Sequence, residues 1–279
     1  MRIAKFRSGG VVRTGLVTGD EIQPLHHSLD ELVGGATPEP LGGRIPLTAV
    51  ELLAPLTVDC RGLLCCGINY VEHQRESAEA FVKDVPEYPI LFFKTPAAVA
   101  DPFAALDLDP HVSTEFDWEV ELGVVIGRGG RDIAAEDAEQ HIFGYTVVND
   151  VTARDVQHRH KQWHLGKNVD RSTPVGPWIV TADELGYPPV VDVALTVNGV
   201  RKQHATTRDM VFSIADQIAV ISRYLELRPG DVLATGTPAG VGFARTPAEF
   251  LRDGDVVEAS IDGIGSVHNQ VRARTAVSA

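Results

Sequence analysis

Three carboxylates stand where two predicted strands could bring them together. Glu119 and Glu121 are two residues apart in the segment 118–126, whose apolar residues recur at every second position, and Asp150 ends the apolar run 145–149. Side chains two apart on a strand point to the same face. Carboxylate oxygens suit Mg²⁺ and Mn²⁺, so these three residues are candidate metal ligands. The alternative is an ordinary solvated strand face, although Asp150 needs a partner if its strand end is buried.

A histidine and a glutamate could form an acid/base dyad. His73 and Glu76 are three residues apart in the segment 67–76, a spacing that makes them neighbours on a helical turn. A carboxylate that orients an imidazole and raises its basicity lets the histidine take a proton from water near neutral pH. The alternative is a surface ion pair with no chemical role.

Four more side chains could contact an anionic substrate. Lys94 and Lys167 follow apolar segments, where an ammonium could bind a substrate carboxylate or an enolate oxygen. The alternative is that each lysine stem lies along apolar surface while its ammonium reaches solvent. Arg154 and Gln157 would be neighbours on a helix after Asp150 and could place a guanidinium and an amide over the metal. A plain polar helix face is the alternative for that pair.

Two glycine-rich segments fail the nucleotide-binding motifs that they resemble at first sight. The stretch 127–130 follows a predicted strand, but Asp132 stands where G-x-G-x-x-G requires its third glycine. The segment 235–242 lacks the G-K-[ST] of a P-loop. We predict no dinucleotide site, although the second segment could offer backbone N–H groups to an oxyanion.

The histidine and cysteine spacings favour neither a zinc site nor a disulfide framework. The residues concerned are His158, His160, His164, Cys60, Cys65 and Cys66. The histidines lack an accompanying carboxylate motif and are interpreted as part of a polar helix. The cysteines lack C-x-x-C spacing, and the adjacent pair would close a strained ring, so all three are interpreted as reduced and buried.

The elements that must position these residues are mostly strands. In the first 55 residues, apolar and polar residues alternate around turn residues. This region also contains a glycine- and proline-rich linker at 34–43. An apolar stripe that ends before Pro229-Gly230 predicts a helix beginning near Ile214. Further strands are predicted at 143–149, 190–197, 231–235 and 255–261, with Asn198-Gly199 as a turn. The predicted class is α+β and mainly β, with a small N-terminal β domain at 1–55 and a larger domain at 56–279.

Composition restricts the class of partner. The chain has 279 residues and a net charge of −13 with histidines neutral. A negative field disfavours nucleic acid and anionic membranes, because binding to phosphates relies on Lys and Arg. The first residues lack the apolar region of a signal peptide, and no apolar run approaches the ~18 residues of a membrane span. We expect a cytoplasmic protein whose anionic substrate meets a locally positive site.

Eight short segments follow one another in a fixed order along most of the chain. They are Gly67-x-Asn69-Tyr70-x-x-His73-x-x-Glu76, Phe93-Lys94, Asp117-x-Glu119-x-Glu121-Leu122, Asn149-Asp150-x-Thr152-Ala153-Arg154-Asp155-x-Gln157, Gly166-Lys167, Asn198-Gly199, Thr207-x-Asp209-Met210-x-Phe212, and Pro229-Gly230-Asp231-x-x-x-Thr235-Gly236-Thr237-Pro238-x-Gly240-Val241-Gly242. Each is weak alone, but together they closely resemble the fumarylacetoacetate hydrolase family, in the branch of acylpyruvases and oxaloacetate decarboxylases.

The resemblance implies both an architecture and a metal. A small N-terminal domain would precede a mixed β-roll catalytic domain, and two copies would form a homodimer. Glu119, Glu121 and Asp150 would hold Mg²⁺ or Mn²⁺. The resemblance also implies that residues 74–88 order as a lid over bound ligand.

The resemblance further implies chemistry on a 2-oxo acid. In an acylpyruvate-like 2,4-dioxo acid, His73 with Glu76 would activate water against the distal carbonyl, and cleavage of the C–C bond would expel pyruvate enolate, which Lys167 would stabilise. The substrate-binding residues are predicted to be Lys94, Arg154, Gln157 and Thr237.

Other reactions share the same chelated 2-oxo acid. Oxaloacetate decarboxylation needs no water, and other family members isomerise unsaturated 2-oxo dioates. We favour C–C hydrolysis because His73, Glu76, Lys94 and Lys167 are all present. A catalytically silent metal-binding protein is the alternative of another class, and loss of the dyad or of one carboxylate would favour it. Neither is lost in this sequence.

Overall fold

The computed structural model of the chain describes residues 1–78, 84 and 86–274. Within them the strands are β1 (Arg2–Ser8), β2 (Val11–Thr18), β3 (Glu21–Pro24), β4 (Ile45–Pro46), β5 (Glu51–Leu53), β6 (Leu63–Gly67), β7 (Ile90–Lys94), β8 (Val99–Ala100), β9 (Leu106–Leu108), β10 (Phe116–Asp117), β11 (Val120–Ile126), β12 (Ile142–Asn149), β13 (Thr152–Ala153), β14 (Thr173–Thr181), β15 (Asp192–Val197), β16 (Val200–Thr206), β17 (Val232–Ala234), β18 (Val256–Ile261) and β19 (Gly265–Ala273). The α-helices are α1 (Leu29–Val33), α2 (Val71–Glu76), α3 (Arg154–Arg159), α4 (His164–Lys167), α5 (Ala182–Leu185) and α6 (Ile214–Tyr224). The predicted α+β, mainly β class is confirmed.

One large mixed sheet contains the strands that carry the candidate site. Its main path runs in the order β4-β3-β2-β1-β14-β12-β11-β17-β6-β7, with β5 paired to β1 and β8 paired to β14. Strand β1 pairs with β14 through Arg2 opposite Val180 and Ile3 opposite Ile179, so the first strands of the chain belong to this sheet. The domain division at residue 55 stays a prediction.

A second, five-stranded sheet covers the middle of the large one. Its strand order is β16-β15-β18-β19-β9. The largest apolar cluster lies between the two sheets and includes Leu122, Tyr145, Leu195, Val257 and Val267. Its burial removes water from the ends of β11 and β12, where the candidate metal ligands lie.

Strand β11 has no solvated face. Every residue from Val120 to Ile126 is buried, because β12 and β17 flank the strand and the five-stranded sheet covers it. The interpretation of Glu119 and Glu121 as part of an ordinary solvated strand face is therefore wrong, since both side chains are buried.

Several local predictions can be compared with the structure. Helix α6 begins after Ser213, whose hydroxyl accepts a hydrogen bond from the backbone N–H of Asp216 in a capping box. Asn198 and Gly199 both have positive φ, at 52° and 74°, as a two-residue hairpin turn of type I′ requires. The three histidines at 158, 160 and 164 do not share one helix, because α3 ends at Arg159 and α4 begins at His164.

The predicted lid, 74–88, is described only in part. Helix α2 ends at Glu76 inside this segment, and Tyr88 is exposed. Residues 79–83 and 85, and with them the proposed lid residues Phe81, Val82 and Val85, lie outside the described residues. None of the described helices has the length and apolar composition needed to cross a membrane.

Candidate active site

Three buried carboxylates, which we call the acidic triad, meet at the ends of two paired strands. Glu119 lies between β10 and β11, Glu121 lies in β11, and Asp150 directly follows β12. Val120 pairs with Asn149 across the two antiparallel strands, and the Asp150 N–H donates to the Glu119 carbonyl oxygen at 2.8 Å. One carboxylate oxygen from each residue of the triad lies within 4.8 Å of the other two.

Two cationic side chains contact the triad from one side. The Lys167 Nζ donates to Glu119 Oε2 at 2.7 Å and to Asp150 Oδ2 at 2.8 Å. The Lys94 Nζ donates to Asp150 Oδ1 and, at 3.0 Å, to the Val151 carbonyl oxygen. Lys94 and Lys167 are both buried, so neither ammonium reaches solvent as the alternative interpretation required.

A guanidinium completes the charged cluster. The Arg154 Nη2 lies 2.6 Å from Glu119 Oε1, and its Nε donates to Asp117 Oδ2 at 2.9 Å. The Arg154 Nη1 donates to Gln157 Oε1 at 3.0 Å, as expected for neighbours on helix α3. Arg154 is therefore held by protein groups on all sides of its guanidinium, and Gln157 takes part through its amide oxygen.

The pKa values of the two glutamates of the triad are shifted in opposite directions. Burial raises the pKa of Glu119, but the attraction of Lys167 and Arg154 outweighs it and lowers that pKa to about 2. Burial, followed by repulsion from Asp150 and Glu119, raises the pKa of Glu121 well above its ordinary value. Glu121 accepts a hydrogen bond from the Gly236 N–H at 2.9 Å, and the described residues provide no salt bridge to it.

This asymmetry fits a divalent cation. Glu121 is a buried carboxylate without a salt bridge in the described part of the chain, and a cation beside the triad would supply a directly bound positive charge. The donors are all carboxylate oxygens, which favour a hard cation such as Mg²⁺ or Mn²⁺ over zinc. The triad could hold such an ion.

The predicted dyad is formed and largely buried. The His73 Nδ1 lies 2.8 Å from Glu76 Oε1, and His73 is only 4% exposed, which excludes a surface ion pair. Glu76 in turn accepts a hydrogen bond from the Gly240 N–H at 2.9 Å. This contact fixes the carboxylate that orients the imidazole.

His73 of the dyad and two carboxylates of the triad, Glu119 and Glu121, border the same cavity. Its polar wall includes His73, Glu119, Glu121, Lys167 and Thr237. An apolar wall of Ile68, Phe92 and Trp163 faces them, and the Phe92 and Trp163 rings meet edge to face with centroids 5.6 Å apart. Arg154 and Gln157 also border the cavity, whereas the described contacts of Lys94 are with Asp150 and Val151. Substrate binding by these residues stays a prediction.

The segment 235–243, which we call the carboxylate-binding turn, directs its N–H groups at the protein's own acids. The Gly236 N–H donates to Glu121 and the Gly240 N–H to Glu76. The Gly242 and Phe243 N–H groups donate to the two oxygens of Asp117 at 2.7 and 3.1 Å. These four donors are therefore already used by the protein's own carboxylates, and an oxyanion site in this turn stays a prediction for its other N–H groups.

Sequence reasoning gave no role to several buried polar residues that support the site. Asp117, Asn69 and Asn149 appear in the motifs, but their contacts depend on distant segments. The Asn149 Oδ1 accepts from the Glu119 N–H at 3.0 Å, and the Asn69 amide bonds the backbone of Phe212 and Thr235. Gln203 was missed altogether, because no local spacing distinguishes it from other polar strand residues.

Comparisons with known proteins agree with this geometry. A family model described as the fumarylacetoacetate (FAA) hydrolase C-terminal domain matches residues 62–272, and a model described as Rv2993c-like, N-terminal, matches residues 1–55. The oxaloacetate tautomerase YisK of Bacillus subtilis is 42% identical over 226 residues, which cover 81% of this chain and 74% of that protein.

Several solved structures are similar to this chain over nearly its whole length. A fumarylacetoacetate hydrolase from psychrophilic Exiguobacterium antarcticum superposes with a TM-score of 0.88 at 36% identity, over 98% of this chain and 100% of that one. A 2-hydroxyhepta-2,4-diene-1,7-dioate isomerase from Mycobacterium marinum gives 0.84 at 32% identity, over 99% and 100%. With a family model that covers about three quarters of its residues, and with these relatives, the chain belongs to the fumarylacetoacetate hydrolase family and is an enzyme of that superfamily.

Proposed function

We propose that this protein is a divalent-metal-dependent enzyme that interconverts the keto and enol forms of a small 2-oxo acid of the oxaloacetate class. The observation that carries the proposal is a cavity bordered by His73, Glu119, Glu121 and Lys167, where Glu76 contacts His73 and Asp150 contacts Lys167. Two of the similar proteins bear names that denote isomerisations, an oxaloacetate tautomerase and a 2-hydroxyhepta-2,4-diene-1,7-dioate isomerase. This proposal replaces C–C hydrolysis as the favoured reaction.

The acidic triad would hold the metal. When bound, Mg²⁺ or Mn²⁺ would supply Lewis-acid stabilisation for negative charge on the ketone oxygen of the substrate. Lys167, which contacts both Glu119 and Asp150, would keep a positive charge beside the same oxygen. Lys94 would hold the Asp150 carboxylate in position through its buried salt bridge.

The dyad would move the proton. Because the His73 Nδ1 faces Glu76, its Nε2 is the ring nitrogen left to exchange a proton with substrate. In the enol-to-keto direction, the enol oxygen loses a proton and C3 gains one, so the substrate keeps its composition. Glu76, held by the Gly240 N–H, would keep the imidazole in one orientation during both transfers. Gln157 and Thr237 are proposed as further substrate contacts on the cavity wall.

Hydrolysis of an acylpyruvate-like compound is the second candidate. A histidine oriented by a half-buried carboxylate can activate water as well as carry a substrate proton, and one similar structure is named a fumarylacetoacetate hydrolase. Decarboxylation would release CO₂ and pyruvate from oxaloacetate, and it needs no general base. The three reactions therefore differ in products and in their dependence on His73.

Product analysis separates the three reactions. Purified protein is treated with EDTA, Mg²⁺ or Mn²⁺ is restored, and the enol absorbance of oxaloacetate is followed together with pyruvate release. Loss of enol absorbance without pyruvate supports the tautomerase. Pyruvate from oxaloacetate supports decarboxylation, and pyruvate plus a carboxylic acid from an acylpyruvate supports hydrolysis. No metal-dependent change in any of these compounds would contradict the proposed function.

Substitution of the proposed base gives the first prediction. We expect His73→Asn to lower the metal-dependent rate by roughly 10²–10⁴-fold, because a positioned general base contributes about that factor. Metal affinity should remain, since the triad is intact. The measurements are the rate of enol loss and a Mn²⁺ titration. The matched control is His141→Asn, because His141 is also buried but hydrogen-bonds the Arg128 carbonyl oxygen instead. Equal activity in both variants would contradict the assignment of His73.

The homodimer is implied by the resemblance, and the cytoplasmic location is expected from the apolar pattern of the sequence. Homodimer formation and a cytoplasmic location stay predictions, and sedimentation of the purified protein tests the first of them.

A further inference from the structure

The chain between strands β10 and β11, which contains Glu119, is not part of a strand. Strand β10 ends at Asp117 and β11 begins at Val120, so Glu119 lies outside both ladders. Its N–H is bonded by the Asn149 side chain and not by a neighbouring strand. The sheet ladder alone therefore does not set the orientation of Glu119 relative to Glu121.

On the side of β11 opposite β12, none of the described strands pairs with Val120. Strand β17 pairs with β11 only from Gly123 to Val125. Further along, the Thr235 N–H donates to the Leu122 carbonyl oxygen at 3.0 Å, and then the chain turns away at Gly236. Val120, the residue between Glu119 and Glu121, needs partners of another kind for its buried backbone groups.

Two side chains provide those partners in a closed ring of hydrogen bonds, which we call the Val120 clamp. The Val120 N–H donates to Gln203 Oε1 at 3.0 Å. The Gln203 Nε2 donates to Thr237 Oγ1 at 2.8 Å, and the Thr237 hydroxyl donates to the Val120 carbonyl oxygen at 3.0 Å. The same Nε2 also donates to the Pro238 carbonyl oxygen at 2.8 Å. Gln203 thus joins the peptide units on both sides of Val120 to the carboxylate-binding turn.

Gln203 comes from the other sheet and is an unusual residue for its surroundings. It lies in β16 of the five-stranded sheet and is 1% exposed. Burying a primary amide is unfavourable unless its oxygen and both N–H groups find partners, and here all of them do. An apolar side chain would suit the core at this position, so the amide serves the geometry of β11 and the turn.

We propose that Gln203 is a positioning residue for the metal site. Through the Val120 clamp it holds Glu119 and Glu121 at the mutual orientation in which both can bind one divalent cation. The proposal rests on the proposed function only in that the triad binds such a cation. It adds a residue outside the cavity wall, on a different sheet, to the set that determines metal affinity.

The test is a titration of the EDTA-treated full chain with Mn²⁺ alone, by calorimetry, with thermal unfolding measured in parallel. We expect Gln203→Met to raise the Kd for Mn²⁺ by roughly 10- to 100-fold, the range typical of residues that orient metal ligands. Thr237→Val breaks the same ring from the other side and should weaken Mn²⁺ binding in the same direction. It keeps the test decisive if Gln203→Met does not fold.

The matched control is Gln217→Met. Gln217 is also 1% exposed, but it lies in α6 and its amide donates to the Phe212 carbonyl oxygen. We expect wild-type Mn²⁺ affinity in this variant, whatever the change in its melting temperature. Wild-type affinity in Gln203→Met and Thr237→Val would overturn the proposal. A wild-type protein that binds Mn²⁺ but does not tautomerise oxaloacetate would instead contradict the proposed function. The Mn²⁺ affinities of the variants would still decide whether the Val120 clamp positions the metal ligands.

Discussion

Glu121 differs from the other two carboxylates of the acidic triad because it forms no salt bridge with the described residues. Asp150 contacts Lys94 and Lys167, and Glu119 contacts Lys167 and Arg154. Burial, followed by repulsion from Asp150 and Glu119, raises the pKa of Glu121, whereas burial at Glu119 is outweighed by Lys167 and Arg154, which lower its pKa. Without metal, folding therefore favours the protonated form of one carboxyl and the ionised form of the other.

These opposite shifts predict opposite effects of amide substitution in EDTA. The pKa of Glu121 is raised, so the folded protein gains a proton there, and stability decreases as pH rises above the ordinary value of 4.5. Glu121→Gln removes this penalty and keeps an oxygen for the Gly236 N–H. We expect it to be more stable than wild type by roughly 1 kcal/mol at neutral pH, with the difference vanishing near pH 4. Urea unfolding at several pH values measures this.

Glu119→Gln is the matched control for that prediction. The lowered pKa of Glu119 stabilises the folded protein above pH 4.5, and this stabilisation is lost as pH falls toward about 2. Removing its charge takes one of two buried carboxylates from each of Lys167 and Arg154, which keep Asp150 and Asp117 respectively. Breaking a buried ion pair by removing one partner costs about 3–5 kcal/mol. Both variants should lose Mn²⁺ binding. A Glu121→Gln protein as unstable as Glu119→Gln would show that Glu121 is ionised and paired.

At the scale of elements, two connections carry the dyad and the turn to the triad. Between β6 and α2, Ile68 has a positive φ of 56°, which is strained for a β-branched residue. The next residue, Asn69, is buried and makes three hydrogen bonds to the backbone of Phe212 and Thr235. These bonds hold the chain through the strained residue and set where α2 begins, and so where His73 lies.

The carboxylate-binding turn depends on Gly240. This residue has a φ of +107°, and a Cβ there would collide with the carbonyl oxygen of Lys202 on β16. We expect Gly240→Ala to shift the N–H that holds Glu76, which lowers the rate and destabilises the protein by more than the ~1 kcal/mol that a positive φ alone costs alanine. The measurements are the reaction rate and urea unfolding of Gly240→Ala and of the control variant described next.

The control is Gly254→Ala. Gly254 has a φ of +87°, but nothing lies within 4 Å of the position of its Cβ. Gly254→Ala should therefore lose only the ~1 kcal/mol of stability that a positive φ costs alanine, and it should keep full activity. Equal losses in the two variants would mean that the close packing of the turn on β16 has no functional consequence.

At the scale of the whole molecule, the N-terminal strands are continuous with the sheet that carries the triad. Strand β1 pairs with β14, which in turn pairs with β12, the strand that leads to Asp150. Ile3 and Ile179 belong to one buried cluster with residues of α1. Removal of the first strands would therefore leave β14, the neighbour of β12, without its partner β1.

Deletion of residues 1–55 tests that continuity. Truncation would expose the edge of β14 and the apolar cluster around Ile179, so we expect the fragment 56–279 to aggregate or to melt without cooperativity. Solubility and the thermal unfolding transition measure the outcome. A fragment with a sharp transition and full metal-dependent activity would instead support an independent catalytic domain from residue 56.

Much of the architecture and of the site could be predicted because it depends on local pattern. Alternation with period two predicts strands and places Glu119 and Glu121 on one face, and a spacing of three predicts the contact between His73 and Glu76. The order of the motifs predicts the family. These features depend on backbone geometry within a few residues, so the amino-acid sequence by itself determined them.

Only the tertiary structure decided which partner each group has. Lys94 meets Asp150 from 56 residues away, and Lys167 meets Glu119 from 48 residues away. Gln203 reaches Val120 from another sheet, 83 residues along the chain. Burial of both faces of β11 likewise depends on how the sheets pack. Such contacts follow from the packing of distant segments in a dry interior, where every charge and amide must find a partner, and no spacing along the chain specifies that partner.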